Sequence, residues 1–88
     1  GNFDSELENQ NLISYLSTRF VRFLLLQAIS SINISKEKFS FVPLQDFTKN
    51  SDIDWSKSVP EIDRQLYAKY SLTDEEVAFI ESMIRPME

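Results

Sequence analysis

The run from Phe20 to Ile32 limits the possible folds of this chain more than any other stretch. Upstream of it, Leu12, Ile13, Leu16, Phe20 and Phe23 recur at i, i+3, i+4 spacing, and they predict one long helix over residues 10–32. From Phe23 the pattern changes. Phe23, Leu24, Leu25, Leu26, Ala28, Ile29 and Ile32 wrap almost around the cylinder. A helix that is apolar all round must be buried all round. A chain of 88 residues makes one domain with a small core, too small to cover every side of such a helix. Phe23, Leu24, Leu25, Leu26 and Ile29 are therefore the candidate docking surface, for a partner protein, a second copy or the rest of a larger parent. A membrane partner is not expected. Arg19, Arg22 and Gln27 interrupt the apolar run, and the continuous part, Phe23 to Leu26, is far short of the roughly 20 residues a span needs.

The chain has no cysteine and no histidine, which removes disulfides, thiolate metal sites and the commonest general base. Its only glycine is at position 1, so no phosphate-cradling loop is possible. A nuclease signature of an acid two residues before a lysine is missing at every lysine. Asn50, Asp52 and Asp54 have the alternation of a calcium loop without its glycine or its bidentate glutamate, and read as an Asx-rich turn. Net charge is −5, all of it in the second half. Such a balance makes a poor autonomous binder of nucleic-acid backbones, since that affinity comes from Lys and Arg.

The remaining stretches predict a mostly α fold. Residues 1–9 are polar and acidic and read as a flexible lead-in, with Gly1 as a residue left by tag cleavage. Residues 10–88 form a single small helical module. The phrase FSFVPLQDF, Phe39 to Phe47, is extended because Pro43 forbids its own ladder bond and biases Val42. It is either a short edge strand or a segment crossing the helices, and its aromatics are core staples or a docking edge. Residues 48–58 are turn-forming, with Trp55 as an anchor. Ser58-Val59-Pro60-Glu61 and Thr73-Asp74-Glu75-Glu76 are capping boxes that each open a short helix. Ile62, Leu66 and Tyr70 form one inward stripe, and Val77, Ile80 and Ile84 the next, with Pro86 as the stop. The break at Ser71-Leu72 predicts a helical hairpin or corner. First-turn acids at Asp74, Glu75 and Glu76 have a sufficient reason in the helix dipole and need no catalytic role.

Three phrases, YLSTRFVRFL at 15–24, FSFVPLQDF at 39–47 and LYAKYSLTDEEVAFIESMIRPM at 66–87, resemble the C-terminal segment of bacterial restriction-modification enzymes. These are the adenine-specific DNA methyltransferases and the fused type II restriction endonuclease–methylases. The resemblance covers nearly everything from Tyr15 to Met87. Where the family has glycine in its KYGLT phrase, this chain has Ser71. The family's cofactor-binding glycine-rich motif and its Asn-Pro-Pro-Tyr/Phe motif lie upstream of such a segment, so no catalytic or cofactor-binding residue transfers to this chain. The resemblance implies a structural or target-recognition module at the C-terminal end of a larger cytoplasmic enzyme. S-adenosylmethionine, and magnesium where the parent also cuts, would belong to that parent. Arg19, Arg22, Lys36 and Lys38 are the candidate DNA contacts. The rival expectation is a protein–protein interaction or homodimerisation module with no DNA role of its own.

Overall fold

The computed structural model describes residues 2–29 and 42–86. Four helices account for most of them: α1 (Asn2–Leu16), α2 (Arg19–Ile29), α3 (Val59–Lys69) and α4 (Asp74–Met83). No strand occurs among the described residues, and Val42 to Phe47 run as extended chain. Phe39, Ser40 and Phe41 of the aromatic phrase lie outside the described residues, as do Ile32, Lys36 and Lys38.

Two expectations about the N-terminal half change. Residues 2–9 belong to α1 rather than to a lead-in, and the long helix of 10–32 is two helices broken at Ser17-Thr18. The cause is local. Ser17 Oγ donates to Ile13 O at 2.8 Å, and Thr18 Oγ1 donates to Tyr15 O at 2.6 Å. Adjacent hydroxyls that bond the preceding turn compete with the helical ladder. Thr18 then restarts the helix, its Oγ1 accepting from the Val21 N–H at 3.2 Å. The apolar spacing of the sequence runs through this break, but the two sides do not share a buried face: Leu12, Ile13 and Leu16 are exposed, whereas Phe20 and Phe23 are buried.

α2 is the central element and packs on α1, α3 and α4, while α1 also packs on α3. The two C-terminal helices are thus joined mainly through α2 and less through each other. Phe20, Val21, Phe23 and Leu24 of α2 meet Ile62, Leu66 and Tyr67 of α3 and Ile80 of α4 in one buried cluster, with Tyr15, Ile53 and Trp55. Rings fix its two ends. Phe20 stacks on Tyr70 at 5.3 Å, and Phe23 meets Phe79 edge-on at 6.0 Å. Val77 and Ile84 pack against the cluster beside Ile80, as the α4 stripe predicts.

The segment 42–57 has no ladder of its own, so side chains from the helices satisfy its backbone. Tyr15 Oη donates to Pro43 O at 2.7 Å, and Asn11 Nδ2 to Phe47 O at 2.7 Å. Gln65 clasps Asp54 from both sides, accepting its N–H at 2.7 Å and donating to its carbonyl at 3.0 Å. Trp55 Nε1 donates to Asp46 O at 2.9 Å, and its ring packs with Tyr15 and Phe47 in the anchoring role expected of it. Gln45 Nε2 donates to the Tyr70 hydroxyl at 2.6 Å, while Lys69 Nζ donates to Gln45 Oε1 at 2.8 Å and pairs with Asp52 at 2.9 Å.

The helix ends follow their cap chemistry. Thr73 and Glu76 form the full reciprocal box. At Ser58 the box is one-sided: Ser58 Oγ accepts from the Glu61 N–H at 3.4 Å and donates to Glu61 Oε1 at 3.2 Å. α3 ends in a Schellman turn, with Leu72 N–H donating to Tyr67 O at 2.9 Å and Ser71 N–H to Ala68 O at 3.2 Å. That turn puts Ser71 at φ 55°, in the left-handed region. A serine there bears a backbone cost that glycine does not. Ser71→Gly should therefore raise stability by roughly 0.5–1 kcal/mol, read as a higher urea midpoint at unchanged slope.

Candidate functional site

Asp63 and the arginines opposite it form the most unusual polar group in the structure. Asp63 sits on α3 beside the Ile62–Leu66 stripe and is 3% exposed. Its two oxygens accept the N–H groups of Arg19 and Phe20, each at 2.9 Å. These are the first two residues of α2, so a carboxylate 43 residues downstream of Phe20 caps that helix. Thr18 Oγ1 takes the Val21 N–H, and the N–H of Thr18 itself reaches Tyr15 O at 3.1 Å. All four N–H groups that a helix start leaves open are thereby satisfied.

The arginines face the same carboxylate. Arg19 Nη1 pairs with Glu81 of α4 at 3.0 Å, and Arg22 Nε donates to Thr18 O at 3.2 Å. Arg19 Nε and Arg22 Nη2 are buried without an acceptor among the described residues, and so is the Tyr67 hydroxyl. Arg19, Arg22, Asp63 and Glu81 line a cavity of about 160 Å³ with Val59, Pro60 and Pro86. Burial pushes the Asp63 carboxyl above its ordinary value, against the pull of the two N–H donors and the two guanidiniums. Burial, reinforced by the charges of Asp63 and Glu81, also raises the Tyr67 hydroxyl, which stays protonated.

Beside this cavity lies an open apolar groove of about 380 Å³ between α2 and the end of α4. Arg22, Leu25, Leu26, Met83, Ile84 and Arg85 line it. Leu25 is 48% exposed and Met83 39%. A larger cleft, about 570 Å³, separates α1 from the 48–56 loop. Several of its polar groups are engaged in holding that loop, among them Asn11, Gln65 and Asp54.

The candidate docking residues therefore divide. Phe23 and Leu24 are 1% and 3% exposed and belong to the chain's own core, because α3 and α4 cover that side of α2. Leu25 is exposed and Leu26 partly so. Ile29 ends α2, and its side chain lies outside the described residues. Of the candidate DNA contacts, Arg19 and Arg22 come together but face Asp63 and Glu81, while Lys36 and Lys38 lie outside the described residues. Asp63, Asn11 and Gln65 were not singled out from the sequence. Asp63 has its partners 43 and 44 positions away along the chain, Asn11 its partner 36 away and Gln65 its partner 11 away, and no local signal marks them.

Among the described residues no helix is long and apolar enough to cross a membrane, and no group of three His, Cys, Asp or Glu could hold a metal ion. Compared with known proteins, the chain matches no family model, no curated protein and no solved structure.

Asp63→Ala leaves two N–H groups at the start of α2 unpaired. It should destabilise the fold by about 2–4 kcal/mol in chemical denaturation, with Asp63→Asn intermediate because only one of its terminal atoms accepts. Carboxyl titration followed by NMR should place Asp63 above Asp46, Asp52 and Asp54. Hydrogen bonds from Thr48, Lys69 and Ser56 lower those three. The signs are opposite. The contribution of the three lowered groups is present above 3.8 and lost as pH falls through their folded values. That of Asp63 is full below 3.8 and lost as pH rises through its raised folded value.

Proposed function

We propose that this chain is a non-catalytic structural module from the C-terminal end of a site-specific DNA restriction-modification enzyme, docked against the rest of that enzyme. The observation that carries the reading is that the phrases behind the resemblance bind one another. Tyr15, from the first phrase, donates to Pro43 in the second. Gln45, also in the second, joins Tyr70 and Lys69 in the third. Residues used in this way hold an architecture together. That favours a structural role over target recognition, and the engagement of Arg19 by Glu81 and of Arg22 by Thr18 points the same way.

In this reading the parent performs adenine methylation, or cleavage, on cytoplasmic DNA. S-adenosylmethionine and magnesium would be held outside this chain, whose sequence lacks the glycine-rich turn the first requires. DNA is engaged through the parent; of the chain's own candidates for phosphate contact, Arg19 and Arg22 are engaged by Glu81 and Thr18, and Lys36 and Lys38 lie outside the described residues. The exposed Leu25, Phe79 and Met83 support a second reading, an interaction module that serves a partner or a second copy without any DNA role.

The coding sequence immediately upstream tests the parentage. A glycine-rich cofactor motif followed by Asn-Pro-Pro-Tyr or Asn-Pro-Pro-Phe is expected there, and a different reading frame or an unrelated domain overturns it. Duplex DNA titrated into the isolated chain at low salt should produce no mobility shift. A salt-sensitive shift would transfer the role to target recognition. No shift together with a clean dimer in sedimentation would favour the interaction module.

A further inference from the structure

The groove between α2 and α4 combines an apolar floor with a border of one charge sign. Leu25, Leu26, Met83 and Ile84 form the floor. Phe79 lies one turn before Met83 on the same side of α4 and is 37% exposed, so the apolar stripe continues past the groove. Both charged residues that line it, Arg22 and Arg85, are basic, and no carboxylate lines it among the described residues. This occurs in a chain of net charge −5, where acids outnumber bases 14 to 9. Arg22 is held in place by its Nε bond to Thr18 O. The nearby acids are committed elsewhere, Asp63 to the start of α2 and Glu81 to Arg19.

We infer that this groove receives an apolar helical segment of a partner protein that carries carboxylates along its edge. The inference rests on the docking half of the reading above and not on which enzyme the parent is. Apolar side chains of the segment replace the water over Leu25 and Met83. Its acids meet the exposed Arg85, while Arg22, held by Thr18, adds fixed positive charge at the border; together they set orientation and reject basic partners. A second copy of this chain is the less suitable occupant, since its own groove would present arginine to arginine across a two-fold axis.

Two synthetic helical peptides with one leucine stripe test this, the first edged with glutamate and the second with lysine. With the full chain, the glutamate peptide should shift the methyl signals of Leu25, Leu26, Met83 and Ile84, and bind about tenfold tighter than the lysine peptide at low salt. Arg85→Glu, at an exposed position, should reverse that preference while the spectrum stays folded, and Arg85→Lys should retain it. Equal binding of the two peptides overturns the inference. So does binding of neither, as when the groove is already filled by the chain's own residues. A dimer abolished by Leu25→Glu reassigns the groove to a second copy, and stronger association with phosphatidylserine vesicles than with either peptide would also overturn it. None of these outcomes depends on the upstream sequence or on DNA titration.

Discussion

One buried carboxylate secures the start of the central helix. Asp63 accepts the N–H groups of Arg19 and Phe20, and through them α3 grips the start of α2. The Phe20 bond is buried and the Arg19 bond partly so, and away from water an unpaired N–H is expensive and a paired one is strong. They also hold the register between the two helices, since Ile62 and Leu66 flank Asp63 and pack in the same cluster as Phe20 and Val21. Glu81 then ties α4 to the same helix end through Arg19. Three helices thus meet at one charged point, with apolar contacts filling the rest.

The second organising idea is substitution of side chains for a sheet. Residues 42–57 are irregular, and such a segment is normally left at the surface because its backbone needs partners. Here Asn11 and Tyr15 from α1, Gln65 from α3 and the loop's own Trp55 take up that backbone. The loop can therefore contribute Ile53 and Trp55 to the core. A chain this short gains from that arrangement, because its helices alone offer a small apolar interior.

The groove beside Arg22 follows from the same geometry. α3 and α4 cover the side of α2 that carries Phe20, Phe23 and Leu24, which leaves Leu25 in the open. Met83 and Ile84, at the end of α4, come alongside it. Apolar surface flanked by arginine on an acidic protein is a selective surface, since it discriminates among partners by charge as well as by fit.

Much of the local structure was legible in the sequence. Pro60 with Ser58, and Thr73 with Glu76, located two helix starts, and the stripes at Ile62–Leu66 and Val77–Ile80–Ile84 indicated the faces they bury. These are short-range signals, complete within a few residues. The break at Ser17-Thr18 was hidden because apolar periodicity ran through it and the hydroxyls that made it are ordinary helix residues elsewhere. Burial of Phe23 and Leu24, against exposure of Leu25, could not be read from an all-round apolar run, because composition does not say which side a neighbour covers. Asp63 was invisible for the same reason. An aspartate within a helix is usually solvated, and only the tertiary fold brings it to two N–H groups more than 40 positions away. The sequence determined the helices, their caps and the apolar stock. The tertiary structure decided which charges were buried, because pairing between distant groups is set by packing and leaves no local pattern.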